Sequence, residues 1–253
     1  MSQKAFSLKG KLALITGGGT GIGLGIAKAF VAANATVIIT GRKEEVLKKA
    51  CATLGEKANY IVFDLTELHK IPAFVSGIEL KWGAIDILIN NAGIHLKKYA
   101  QDTTDEDFAN ILHTNLQSVF ALTRETAKSM LARKNGSIIL ISSMAGLFGI
   151  DRVSAYGTSK AALIGLMNNL VTEYSKDNVR INCIAPGWIV SEMFLNAIKS
   201  DPERKAKITN RIALPGFGTT EDIGNAAVYL SAPSGKYVTG AVLPVDGGAT
   251  VNF

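Results

Sequence analysis

With 253 residues, the chain is long enough for one large domain or two small ones, so length alone leaves the domain count open. Apolar residues make up 47% of it, with 25 glycines and only 6 prolines, which excludes a disordered or fibrous chain and supplies a substantial core. The net charge of +6 is scattered in short runs such as Lys48-Lys49 and Lys97-Lys98, so it reads as solvated surface and speaks against a nucleic-acid or membrane partner. Cys51 and Cys183 lie far apart, no Cys-x-x-Cys occurs, and His69, His95 and His113 do not cluster, so neither a disulfide framework nor a metal site is expected. The start MSQKAFSLKG lacks the apolar stretch of a secretory signal, no run approaches the ~18 apolar residues of a membrane span, and the final VNF is no address signal. A cytoplasmic location is the expectation.

Short β-branched runs alternate with longer amphipathic segments. In chain order they are LALIT, TVIIT, NYIVF, DILIN, SIILIS, VRINCIA and VLPV, seven strand candidates with helix-length spacers between most of them. Strands this apolar suit a parallel sheet covered on both faces, which predicts an α/β fold with a doubly wound, Rossmann-type sheet of seven strands. Asn34 is placed to end the first helix in a left-handed cap, and Thr104 with Asp107 and Thr219 with Asp222 have the spacing of capping boxes. No repeat, low-complexity tract or linker cuts the chain, so 1–253 is expected to be one domain. The segment at about 190–214 breaks the rhythm with Pro202 and several charges, just before Pro215, and reads as an inserted lid.

The first strand candidate runs straight into Thr16-Gly17-Gly18-Gly19-Thr20-Gly21-Ile22-Gly23, followed by a helical pattern. Glycines let a backbone turn tightly and approach a pyrophosphate, whose charge is stabilised by the free amides and dipole at the helix start. The spacing is Gly-x-x-x-Gly-x-Gly, not Gly-x-Gly-x-x-Gly, and the Gly-Lys pair of a P-loop is missing. Past the second strand stand Gly41 and Arg42, where an acidic residue would bind the ribose hydroxyl of NAD. Arg42 suits a 2′-phosphate instead, so NADP(H) is favoured over NAD(H).

Tyr156 and Lys160 are four residues apart in a helical segment, which puts both on one face. No other Tyr-x-x-x-Lys pair occurs. Such a pair is weak alone, but Ser143 stands at the end of the strand run SIILIS, directly after its last residue Ser142 and thirteen residues before Tyr156. Three polar groups then meet at a strand end, where open α/β sheets bind ligands.

With these residues in view, the chain resembles the short-chain dehydrogenase/reductase family over nearly its whole length. The motifs come in order: TGGGTGIG at 16–23, Asp64 in FDLT, NNAG at 90–93, Asn115 in HTNLQ, Ser143, YGTSK at 156–160, PGWIVS at 186–191 and VDGG at 245–248. The resemblance implies a single Rossmann-type domain, usually a homotetramer, and the apolar stretch Ala161 to Val171 agrees with a buried helix face. It implies that Gly17, Gly19, Thr20, Gly21, Ile22 and Gly23 hold the dinucleotide. Asp64 and Leu65 would border the adenine, and Asn91, Ala92 and Gly93 the adenosine ribose side. Pro186 and Gly187 would also contact the cofactor, and Ser191 with Ile189 would border the nicotinamide carboxamide.

For catalysis it implies Tyr156, Lys160, Ser143 and Asn115. A free tyrosine has a pKa near ~10, so poising it near neutrality means stabilising the phenolate by roughly 4 kcal/mol. Lys160 and an oxidised nicotinamide would provide the positive charge. Ser143 would hold the substrate oxygen, and Asn115 a water linking Lys160 to solvent. Three substrate classes compete: a sugar acid or polyol, a 3-oxoacyl thioester and an enoyl thioester. The Tyr-x-x-x-Lys spacing with Ser143 resembles carbonyl-reducing members, which demotes enoyl reduction. Lys176 followed by Asp177 departs from the basic pattern of members acting on acyl carrier protein, while Gly149 to Tyr156 and NNAGIHLKK resemble gluconate and deoxygluconate dehydrogenases. A sugar acid or polyol such as a keto-gluconate is therefore favoured, with a 3-oxoacyl thioester as the alternative, and His95, Lys97 and Arg152 are candidates for a substrate carboxylate. A nucleotide-sensing protein without catalysis is the rival from another class, and the intact tetrad speaks against it.

Overall fold

Strands that are apolar on both faces need cover on both, and the chain supplies it in two helical layers. The computed structural model describes residues 2–190, 194 and 202–252. Its strands are β1 (Leu12–Thr16), β2 (Thr36–Gly41), β3 (Ala58–Val62), β4 (Ile87–Asn90), β5 (Gly136–Ile141), β6 (Val179–Pro186) and β7 (Val242–Val245). They form one parallel sheet in the order β3-β2-β1-β4-β5-β6-β7, preceded in the chain by a short helix α1 (Ser2–Ala5). The order reverses between β1 and β4, which opens a crevice beyond their carboxyl ends. The expected doubly wound sheet is thus present, with several ends shifted by a residue or two.

Period-2 alternation divides the strand side chains between two cores. Ile15, Ile39 and Ile139 pack with Ile26 and Phe30 of helix α2 (Gly21–Ala32), Leu47 of α3 (Glu44–Leu54) and Ile223 of α9 (Thr220–Ser231). Leu14, Ile38, Leu88 and Ile138 pack with Ile78 of α4 (Ile71–Trp82), Leu122 of α6 (Ser118–Arg133) and Leu163 of α7 (Ser154–Tyr174). Both expected capping boxes close, at Thr104 before α5 (Asp105–Leu112) and at Thr219 before α9. Asn34 takes the left-handed conformation at φ 74°. The expected lid lies partly outside the described residues; within it, Pro202–Arg211 forms helix α8. Between α5 and α6 the backbone makes a π-turn, His113–Gln117, which periodicity does not foresee.

Helix α2 carries the glycine loop and must lie close to α9. A Cβ on Gly25 would come within 2.5 Å of the Thr220 carbonyl oxygen, a backbone atom that cannot step aside. Gly25→Val is therefore expected to lower unfolding free energy by about 2–3 kcal/mol through overpacking. Gly77, exposed within α4 with nothing near its imagined Cβ, provides the control: Gly77→Ala is expected to raise it by about 0.5–1 kcal/mol. Urea unfolding of both variants measures the contrast, and equal midpoints would contradict it.

Candidate active site

At the end of β1, the Thr16 hydroxyl ties the crevice walls together. It donates to the Ile89 carbonyl at 3.3 Å and accepts from the amides of Asn91 and Ala92, each at 2.9 Å. Asn91 returns the contact, its Nδ2 donating to the carbonyls of Thr16 and Gly17. Gly17 and Gly21 hold positive φ, 63° and 52°, which L side chains rarely adopt. A Cβ on Gly23 would sit 2.2 Å from the Gly17 carbonyl oxygen, so only glycine lets the helix start approach the loop. Thr20, the N-cap of α2, makes no side-chain cap bond, so its hydroxyl is available beside the free amides of the first turn. This bare, amide-lined cradle fits a dinucleotide pyrophosphate.

Across the crevice, β5 and α7 deliver the other groups. Ser143 follows β5, and α7 carries Tyr156 and Lys160 one turn apart. Lys160 is only 5% exposed; its Nζ donates to the Ile141 carbonyl at 2.8 Å and lies 5.7 Å from the Tyr156 ring centre. Ser142, beside Ser143, donates to the Lys160 carbonyl at 2.8 Å and pins the strand end to the helix. Asn115 sits in the π-turn, fully buried, where Oδ1 accepts from the Ile94 amide and Nδ2 donates to the Ile94 carbonyl and to Ser159 Oγ. Ser159 donates in turn to the Tyr156 carbonyl at 2.7 Å. Gly93 makes the approach feasible: its imagined Cβ would be 3.1 Å from Asn115 Oδ1 and 3.6 Å from Lys160 Nζ. The result is a cleft of about 200 Å³ lined by Ile22, Gly93, His95, Ser143, Tyr156 and Lys160, with Pro186 and Gly187 at its far side.

The electrostatics depart from expectation at the tyrosine. Burial pushes the Tyr156 phenol above its ordinary range, and hydrogen bonding to Ser143 opposes this only in part. Burial likewise lowers Lys160, to about 8, which the neighbouring Cys183 opposes. In the loop after β3, burial acts to raise Asp64, but hydrogen bonds from Thr66 and the charges of Arg42 and His113 outweigh it and hold it below the usual carboxylate range. Arg42 is exposed at the end of β2.

Other predicted residues divide. His95 enters the cleft, its ring 4.6 Å from that of Tyr156 and tilted by 50°. Lys97 is exposed and outside the cleft lining. Arg152, at a left-handed φ of 63°, stacks 4.3 Å over the Tyr99 ring, hydrogen-bonds the Tyr99 hydroxyl and pairs with Asp151 at 3.3 Å. Ile189 is nearly buried and bridges to Gly218, whereas Ser191 lies outside the described residues. Thr16, Ser142 and Ser159 escape the sequence search for cofactor and catalytic groups, although Thr16 and Ser159 stand inside the TGGGTGIG and YGTSK motifs.

Residues 17–250 match a family described as enoyl-(acyl carrier protein) reductase. A Bacillus subtilis protein named 2-dehydro-3-deoxy-D-gluconate 5-dehydrogenase is 40% identical over 96% of this chain and 96% of its own length. A Chlamydia muridarum 3-oxoacyl-[acyl-carrier-protein] reductase is 36% identical over 95% of this chain and 98% of its own. Among solved structures, a gluconate 5-dehydrogenase from Burkholderia cenocepacia J2315, in complex with NADP and tartrate, superposes with a TM-score of 0.94 at 30% identity, covering 100% of both chains.

Burial of the Lys160 ammonium has a pH signature. Its pKa is about 8 in the folded chain against an ordinary 10.5, so between these values the unfolded chain binds more protons, and raising the pH stabilises the fold. Across that window wild type should gain up to roughly 3 kcal/mol relative to Lys160→Met, in which the titrating group is gone. Urea unfolding from pH 7 to 10 measures the difference, and a flat or falling trend would contradict it.

Proposed function

This chain belongs to the short-chain dehydrogenase/reductase family, and from that premise we propose that Tyr156, Lys160, Ser143 and Asn115 interconvert a ketone and an alcohol on a sugar acid, with NADP(H) as hydride partner. One observation carries the reading: the cleft joins the glycine cradle, the loop after β4 and the Ser143-Tyr156-Lys160 cluster at the carboxyl ends of β1, β4 and β5. The nicotinamide, when bound, gives or takes the hydride and in its oxidised form adds positive charge. Tyr156 exchanges the proton: its hydroxyl donates to the substrate oxygen in reduction and accepts from it in oxidation. Ser143 Oγ holds the same oxygen while its charge changes. Lys160, protonated at neutral pH, favours the phenolate and keeps two of its three hydrogens after bonding Ile141. Asn115 Oδ1 has one lone pair beyond the Ile94 amide, and it holds the water that leads from Lys160 toward solvent.

For the cofactor, Gly17, Gly19, Thr20, Gly21, Ile22 and Gly23 take the pyrophosphate, Asp64 and Leu65 the adenine, and Asn91, Ala92 and Gly93 the ribose side. Pro186 and Gly187 complete the cofactor contacts, and Ile189 with Ser191 is assigned to the carboxamide. Arg42 takes the 2′-phosphate, supported by its exposure and by the absence of a carboxylate at Gly41. For the substrate carboxylate, His95 stands in the cleft and Lys97 beside it. Arg152 reaches it only by leaving the Tyr99 ring. The sugar-acid reading is supported by the 40% identical relative and by a solved relative holding tartrate, itself a hydroxy acid. A 3-oxoacyl thioester is the second reading, on the strength of the 36% identical reductase.

The chain acts as one catalytic domain in the cytoplasm, with residues at about 190–214 as the lid. Among the described residues no helix is long and apolar enough to cross a membrane. Assembly as a homotetramer is supported by the outer face of α7, where Ala161 and Gly165 are exposed beside half-buried Ile164 and Leu166, with exposed Phe120 and Leu147 on other segments.

Tyr156→Phe removes the hydroxyl and keeps the ring, so turnover should fall by about 100-fold or more with the fold intact. Near-normal steady-state rates in a folded variant would remove Tyr156 from the mechanism. Specificity is tested by nicotinamide absorbance with keto-hexonates, matching neutral sugars and acyl thioesters under both cofactors. Hexonates and NADP(H) are expected to lead, and Arg42→Ala is expected to cut the NADP preference by roughly ten- to a hundredfold. Faster turnover of thioesters would reverse the choice of substrate, and an undiminished preference in the alanine variant would dismiss Arg42.

A further inference from the structure

His113 opens the π-turn and has no part in the chemistry above, yet both its ring nitrogens are engaged. Nδ1 lies 2.7 Å from Gln117 Oε1, and Nε2 lies 3.1 Å from the Thr66 carbonyl oxygen. The Thr66 carbonyl only accepts, so Nε2 carries the hydrogen and donates; Gln117 can meet Nδ1 with either end of its amide. One contact closes the turn from its first residue to its last. The other leaves the helix for the loop after β3.

That loop is a tight turn built on Asp64. Its Oδ1 accepts from the Thr66 amide at 3.0 Å and the Thr66 hydroxyl at 2.8 Å, and its carbonyl accepts from the Glu67 amide. The Thr66 carbonyl, besides His113, takes the Leu68 amide at 3.0 Å, so both of its lone pairs are used. The charges of Arg42 and His113 both act on Asp64. Thus the wall assigned to the adenine is hydrogen-bonded directly to the first residue of the π-turn.

Asn115 lies two residues further into that turn and depends on its geometry. Its carboxamide reaches Ile94 and Ser159 because the wide turn aims it there. A π-turn is rare and needs outside contacts to keep it from resealing into an α-helix, in which successive residues step by about 100°. Resealing would turn Asn115 away from Gly93 and Lys160.

We propose that His113 is a positioning residue that couples the adenine wall to the π-turn carrying Asn115. A nucleotide held at Asp64 and Leu65 steadies Thr66, Thr66 steadies His113, and His113 keeps the turn open. The proposal rests on the cofactor assignment above, and its test separates the two. Adenosine 2′,5′-bisphosphate serves as the probe on the whole protein, with binding followed by calorimetry and hydrogen exchange followed across residues 113–118. In wild type the probe is expected to slow exchange of the turn by about fivefold or more, the lower end of ordinary coupling. In His113→Leu it should still bind, while the added protection at the turn disappears; His113→Gln, whose amide nitrogen replaces the Nε2 donor, should restore part of it. A purely structural role would instead lower the unfolding midpoint and leave the probe-dependent protection in place. If the leucine variant does not fold, Gln117→Ala at its exposed position interrupts the same path. Probe binding with undiminished protection in the folded variant, or no protection in wild type, would overturn the coupling. Failure of the probe to bind wild type would defeat the cofactor assignment, and the coupling with it.

Discussion

The Thr16 hydroxyl sits where the sheet order reverses, and the rest of the site depends on its three hydrogen bonds. It joins the end of β1 to the end of β4 at the point where the two chain paths diverge. Without that knot the glycine loop and the loop after β4 would be independent surface segments, each free to close the crevice. With it, and with Asn91 bonded back to Thr16 and Gly17, one wall presents bare amides while the other presents Gly93 to Asn115 and Lys160. The bonds are only 1% exposed at Thr16, which makes breaking them expensive and their geometry firm.

Electrostatics at the cluster follow from the same burial. Two ionisable groups are withdrawn from water together, and each resists its charged form: Tyr156 is pushed up and Lys160 down to about 8. Desolvation therefore outweighs the attraction between the ammonium and the phenol, with Lys160 Nζ 5.7 Å from the Tyr156 ring centre. A site arranged this way holds its proton on the tyrosine until further positive charge arrives.

The substrate side is held by different means. The loop after β4 is stapled to the loop before α7 by the Lys98 amide donating to the Arg152 carbonyl at 2.7 Å, and Lys98 Nζ pairs with Asp107 at 2.7 Å. Arg152 is drawn onto Tyr99 rather than into the cleft, so of the three candidates for a substrate carboxylate only His95 lines the cleft. Cations near a mouth in the sequence need not face it, because long side chains also serve to fix loops.

The sheet, its seven strands, both capping boxes and the glycine loop were all written locally. Strand identity follows from runs of β-branched residues, and the Tyr156-Lys160 pair from the helical repeat, since each signal lies within a few residues of the next. The motif resemblance added Asn115 and the order of the cofactor contacts. Other features could come only from the fold: the π-turn at His113–Gln117, the Thr16 knot, the Ser142 and Ser159 anchors, the rise of Tyr156 and the capture of Arg152 by Tyr99. Each joins segments far apart in the chain or depends on how much water burial removes. Local residue order determined which elements form and which chemistry they carry; only tertiary packing decided which groups meet, which are dry, and therefore which charges they hold.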